Sequence, residues 1–98
     1  MENLCHFKLE KPPEFLFYAT NAYLSDKVFR QGLKPQNSPF VEVYDSIDKA
    51  KRTIDRKAQK ATFVIIARTM ADDGYRFCHA ETGEWLVDEI PSRYILLQ

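Results

Sequence analysis

Thr82-Gly83-Glu84-Trp85-Leu86-Val87-Asp88-Glu89-Ile90-Pro91-Ser92-Arg93-Tyr94-Ile95 holds two short apolar runs divided by turn residues. Thr82-Gly83 opens the first run, and Ile90-Pro91-Ser92 parts it from the second. The pattern predicts strands over 84–87 and 93–97. Upstream, Asp73-Gly74 is a turn and 75–79 reads as another short strand. Residues 61–68 carry the longest unbroken apolar stretch, Phe63-Val64-Ile65-Ile66-Ala67, and predict a central strand covered on both faces.

Two helices precede this run of strands. Asp45 or Ser46 can cap the second. Its apolar positions Ile47, Ala50, Ile54 and Ala58 share one face of a helix reaching Lys60. Asp48 stands four residues before Arg52, a spacing that adds a small pairing energy. The first helix is read from Leu24, Val28 and Phe29, with Asn21 as its cap and Gly32 at its end. Aromatic-rich 15–20 predicts a buried strand, 34–39 a loop, and 40–44 a second strand. Residues 1–14 show no period and end near Lys11-Pro12-Pro13, so they read as an N-terminal arm ahead of a single domain, 15–98. Helices followed by a run of strands argue an α+β fold with a mainly antiparallel sheet. Phe17, Val64, Ile66 and Trp85 are expected to be buried together.

The chain has 98 residues, 14 basic and 14 acidic, with 45% hydrophobic and 29% charged residues. That is an ordinary globular composition, not a disordered one. No apolar run approaches the ~20 residues of a membrane span. The first six residues lack a basic start followed by an apolar stretch, so a cytoplasmic location is expected. Cys5-His6 and Cys78-His79 are two adjacent pairs, but structural zinc sites favour ligands spaced several residues apart, and no metal is expected. The zero net charge hides two opposed blocks. Lys49, Lys51, Arg52, Arg56, Lys57 and Lys60 oppose only Asp55 in one, and Asp72, Asp73, Glu81, Glu84, Asp88 and Glu89 oppose only Arg76 in the other. Such a chain is no general polyanion binder, yet it can hold a local anion site.

Three segments, in order, resemble the ADP-ribosyltransferase superfamily, and within it the catalytic lobe of the RNA 2′-phosphotransferases. The family opens that lobe with Tyr-His-Gly-Thr and a Gly-Leu-x-Pro step. Here Phe17-Tyr18-Ala19-Thr20 and Gly32-Leu33-Lys34-Pro35 stand in those places. A strand ending in His-Leu-Ser and a Val-Gly-x-Arg step follow, against Val41-Glu42-Val43-Tyr44-Asp45-Ser46 and Ile54-Asp55-Arg56 here. The third block, Asn-Gly-Val-Trp-Leu-Thr-x-x-Val-Pro-x-x-Tyr-Ile, matches residues 82–95 in its Gly, Trp, Leu, Pro, Tyr and Ile. The resemblance covers about 16–97, with nothing matching the family's N-terminal RNA-binding lobe. It implies a small split antiparallel sheet with two helices, and displacement of nicotinamide from NAD.

By that resemblance Tyr18, Ala19 and Thr20 bind the cofactor, Tyr18 replacing the histidine that holds a ribose hydroxyl. Tyr44 stacks on the nicotinamide ring, Ser46 stands near the family's second-block serine, and Arg56 recognises phosphate. Glu84 is the candidate catalytic residue, because many superfamily members carry a glutamate opening this strand. The residues also admit plainer roles: Tyr18 in a core strand, Ser46 as a helix cap, Arg56 on a solvated face, and Glu84 at a strand edge. Two functions are therefore open. One is an NAD-dependent transferase whose acceptor is an RNA phosphate, a protein or a small molecule. The other is a non-catalytic module that keeps the fold and binds a nucleotide or a partner.

Overall fold

The computed structural model describes residues 8–36 and 38–97, so the Cys5-His6 pair lies outside the described residues. Two antiparallel sheets form the α+β framework. One contains β2 (Leu16–Asn21), β4 (Lys60–Ile65) and β7 (Ile95–Leu97), with β4 in the middle. The other runs in the order β1 (Lys8–Leu9), β5 (Cys78–His79), β6 (Trp85–Val87), β3 (Val41–Val43). Within the stretch expected as an arm, Lys8–Leu9 thus pairs with Cys78–His79.

Side-chain alternation decides where the core lies. On β4, Phe63 and Ile65 are fully buried, and they oppose Tyr18 and Leu16 of β2. Trp85, Val87, Val43 and Tyr94 join this cluster from the other sheet and the last segment. Phe17 and Val64 are register partners on the opposite face of β2 and β4 and are only half-buried, as is Ile66. The expected joint burial therefore holds for Trp85 but not for its three proposed companions. β4 is central as predicted, with only one of its faces sealed.

Among the described residues three α-helices are present where two were expected: α1 (Ser25–Gln31), α2 (Ile47–Lys51) and α3 (Ala67–Asp72). α3 takes the end of the run predicted as strand. The strand stops at Ile65, and Ile66 turns the chain (φ −81°, ψ 74°). Ala67 and Met70 are buried from α3, one helical turn apart. Asn21 does not cap the first helix; its side chain makes no capping bond to the 3-10 turn (Ala22–Leu24) that precedes α1.

α2 is much shorter than its apolar pattern predicted. Ser46 caps it, accepting from the Lys49 N–H at 3.1 Å, and Ala50 is buried. The Thr53 hydroxyl then donates to the Ala50 carbonyl at 2.8 Å, which satisfies an acceptor that the next helical turn would use. Beyond Arg52 the chain continues in isolated turns, Ile54 N–H to Lys51 and Ala58 N–H to Asp55. A cluster of like charges over 49–60 works against prolonging the helix. The ion pair formed here is Asp45 with Lys49 at 3.0 Å, and none is seen between Asp48 and Arg52. No helix among the described residues is long and apolar enough to cross a membrane.

Candidate functional site

Two isolated bridges between the elements shape a cleft. Phe17 and Tyr44 exchange both backbone hydrogen bonds, at 2.7 and 2.9 Å, and this stitches the two sheets together. Leu33 and Ile90 do the same at 2.8 Å each, which ties the exit of α1 to the third sequence block. Between these fastenings lies a cleft of about 420 Å³, in the range of small-molecule sites, roughly 300–1,000 Å³. β2 contributes Tyr18, Ala19 and Thr20, β3 and its end contribute Glu42 and Tyr44, and the loop after α1 contributes Gly32 to Gln36.

Tyr18 and Thr20 share one face of β2 because they are two residues apart. Burial pushes the Tyr18 phenol above its ordinary range, partly offset by a hydrogen bond with the Thr20 side chain. The Tyr44 hydroxyl donates to Glu42 Oε1 at 3.3 Å. Burial, the neighbouring Glu42 carboxylate and, more weakly, Glu84 and Tyr18 push the Tyr44 phenol up to about 12. Both phenols thus stay neutral donors throughout the physiological range.

The structure brings four of the seven expected site residues to one cleft: Tyr18, Ala19, Thr20 and Tyr44. Ser46, Arg56 and Glu84 do not line it. Ser46 is occupied as the α2 cap. Arg56 lines a separate basic hollow, because α2 ends before reaching it. Glu84 accepts from the Thr82 hydroxyl just ahead of β6, and only its field reaches Tyr44. Sequence reasoning missed Glu42, Lys27 and Lys34 in the cleft lining. Alternation in 40–44 carried the signal for Glu42, since it points opposite to the buried Val41 and Val43.

Trp85 and Tyr94 of the third block are structural. Trp85 is 4% exposed and stacks on His79, with centroids 4.1 Å apart and planes 9° from parallel. The Tyr94 hydroxyl donates to Asp73 at 2.5 Å and accepts from Arg93 at 3.1 Å. Among the described residues no group of three or more His, Cys, Asp or Glu side chains is gathered as a metal would require.

Comparison with known proteins finds similarity over most of the chain. A probable RNA 2′-phosphotransferase of Burkholderia pseudomallei is 31% identical over 87 residues, which is 89% of this chain and 47% of that protein. Its namesake in Pseudomonas fluorescens is 31% identical over 88% of this chain and 47% of its own length. The one in Streptomyces coelicolor is 31% identical over 86% and 46%. This chain is related to the RNA 2′-phosphotransferases. It spans about half the length of the curated RNA 2′-phosphotransferases it matches. No family model matches it.

Proposed function

We propose that the cleft binds NAD and that the chain is the nucleotide-handling part of a transferase of the RNA 2′-phosphotransferase kind, within the ADP-ribosyltransferase superfamily and acting in the cytoplasm. One observation carries this reading. A single cleft is walled by Tyr18-Ala19-Thr20 and Tyr44, from segments through which the chain resembles those enzymes. The donor set suits a nucleotide: two neutral phenols, the Thr20 hydroxyl, and the exposed Lys27 and Lys34. When bound, NAD supplies a ribose carbon carrying a good leaving group, nicotinamide. The Tyr18 phenol donates to a ribose hydroxyl, beside the Thr20 hydroxyl on the same face of β2. Tyr44 offers its ring for stacking, steadied by its bond to Glu42. Lys27 and Lys34 attract phosphate oxygens. The acceptor is an RNA phosphate, after the relatives' name.

Glu84 works from the edge of this arrangement, where its carboxylate opposes positive charge developing in the transition state. Glu84→Gln should then lower nicotinamide release by a factor of about 100 while barely moving KM, because the interaction is made chiefly in the transition state. Steady-state kinetics of both proteins measure this. Equal kcat removes Glu84 from the mechanism.

A second reading has its own support. The Glu84 carboxylate is engaged by Thr82 outside the cleft lining, and Tyr18 stands in the family's histidine place. A module that binds the nucleotide without turning it over would show NAD binding and no nicotinamide release.

A further inference from the structure

We propose that the basic hollow formed by the turns of 51–60 is a second binding site, which takes the phosphodiester backbone of a single-stranded RNA. Four cations line it, Lys51, Arg52, Arg56 and Lys60, around a floor of Ile54, Ala58 and Thr62. No carboxylate is part of the lining. A regular helix would have set Arg52, Arg56 and Lys60 in a row along one convex face. The early end of α2 and the turns that follow gather them into one concavity of about 660 Å³.

The cations are held differently, and the difference suits an anion site. Lys60 Nζ donates to the carbonyls of Arg56 at 3.2 Å and Ala58 at 3.1 Å, which fixes the ammonium and leaves one of its three N–H groups for a ligand. Among the described residues, Lys51, Arg52 and Arg56 have no carboxylate at ion-pair distance. Asp55, the one acid in the segment, is turned to its own loop, accepting from the Lys57 N–H at 3.0 Å. Two guanidiniums can fork onto phosphate oxygens, and the ammoniums add charge without directional demand.

The hollow is far larger than one phosphate group, and its four charges suit several phosphates in succession. It also adjoins the cleft, since Ile54 lines both. A strand lying in the hollow would therefore pass the cleft mouth. That the strand is RNA rests on the RNA-directed activity proposed above; the anion site itself rests on the geometry alone.

The test is fluorescence anisotropy of a labelled oligouridylate of about ten nucleotides, a length suited to one single-strand site. With three or four phosphates engaged, affinity should fall roughly 20- to 50-fold between about 50 and 200 mM salt. The Lys51→Gln/Arg52→Gln/Arg56→Gln variant, checked for an intact amide spectrum, should lose about tenfold or more at the lower salt and most of the salt dependence. Inorganic phosphate and uridine monophosphate should compete only weakly. Wild-type affinity in the variant, or no binding at the lower salt, overturns the proposal. Uridine monophosphate binding as tightly as the oligomer also overturns it, in favour of a single-phosphate site. NAD is absent from this assay, so a hollow that ignores RNA and a cleft that ignores NAD give separate results.

Discussion

Gly32→Ala is expected to cost about 2–5 kcal/mol of stability, combining a backbone conformation nearly closed to other residues with a steric collision. Gly32 has φ 74° and ψ −166°. A Cβ there would sit 2.5 Å from the Ile90 carbonyl oxygen and 3.0 Å from the Ser92 nitrogen. Both are backbone atoms, and the Ile90 side of the contact is fixed by the Leu33–Ile90 bridge. Relief would mean opening the bridge that closes one end of the cleft. Against a total stability of roughly 5–15 kcal/mol for a domain, this loss is large. Thermal unfolding should show it as a fall in Tm of roughly 10–30 °C. Gly74→Ala and Gly83→Ala are the controls. Both glycines have positive φ, at 108° and 105°, but a Cβ at either meets nothing within 4 Å. A Gly32→Ala loss no greater than theirs would show that the bridge yields easily and does not hold the cleft.

Trp85→Ala should cost about 3–5 kcal/mol, as a buried aromatic replaced by a methyl leaves a cavity as well as lost transfer energy. Trp85 is held from two sides. Its ring stacks on His79, and it belongs to the same buried cluster as Phe63, Ile65 and Val43. Because β6 pairs with both β3 and β5, slack at Trp85 reaches the strand that carries Glu42 and leads to Tyr44. Urea unfolding measures the loss. A midpoint within experimental error of the wild type would mean that the third block does not hold the two sheets together.

Why some of this was legible beforehand follows from which residues carry local signals. Short runs near glycine or proline placed β2, β3 and β6 within a residue or two, and the apolar run of 61–68 placed the start of β4 but not its end, since sheet burial follows side-chain alternation. The α3 helix was hidden because Ile66-Ala67 continues the apolar run of β4, and a continuous run does not itself declare where strand becomes helix. The repeat of Ala67, Met70 and Ala71 ahead of Asp73-Gly74 was the available sign. In α2 the helical spacing of Ile54 and Ala58 misled, since the Thr53 hydroxyl had already taken the Ala50 carbonyl. This is why Arg56 lies in the hollow and not at the cleft. Among the site residues, Tyr18, Thr20 and Tyr44 meet through the Phe17–Tyr44 bridge, a long-range pairing with no local signature. Only the family resemblance put these residues in one site. Glu42 was overlooked because a charged residue facing out of a short strand is usually solvated.

NAD titrated into the free protein, followed by amide chemical shifts, tests the nucleotide cleft most directly. Shifts concentrated on Tyr18, Ala19, Thr20 and Tyr44, saturating as NAD rises, are the predicted result. No shift at these four amides with NAD at millimolar concentration would contradict it.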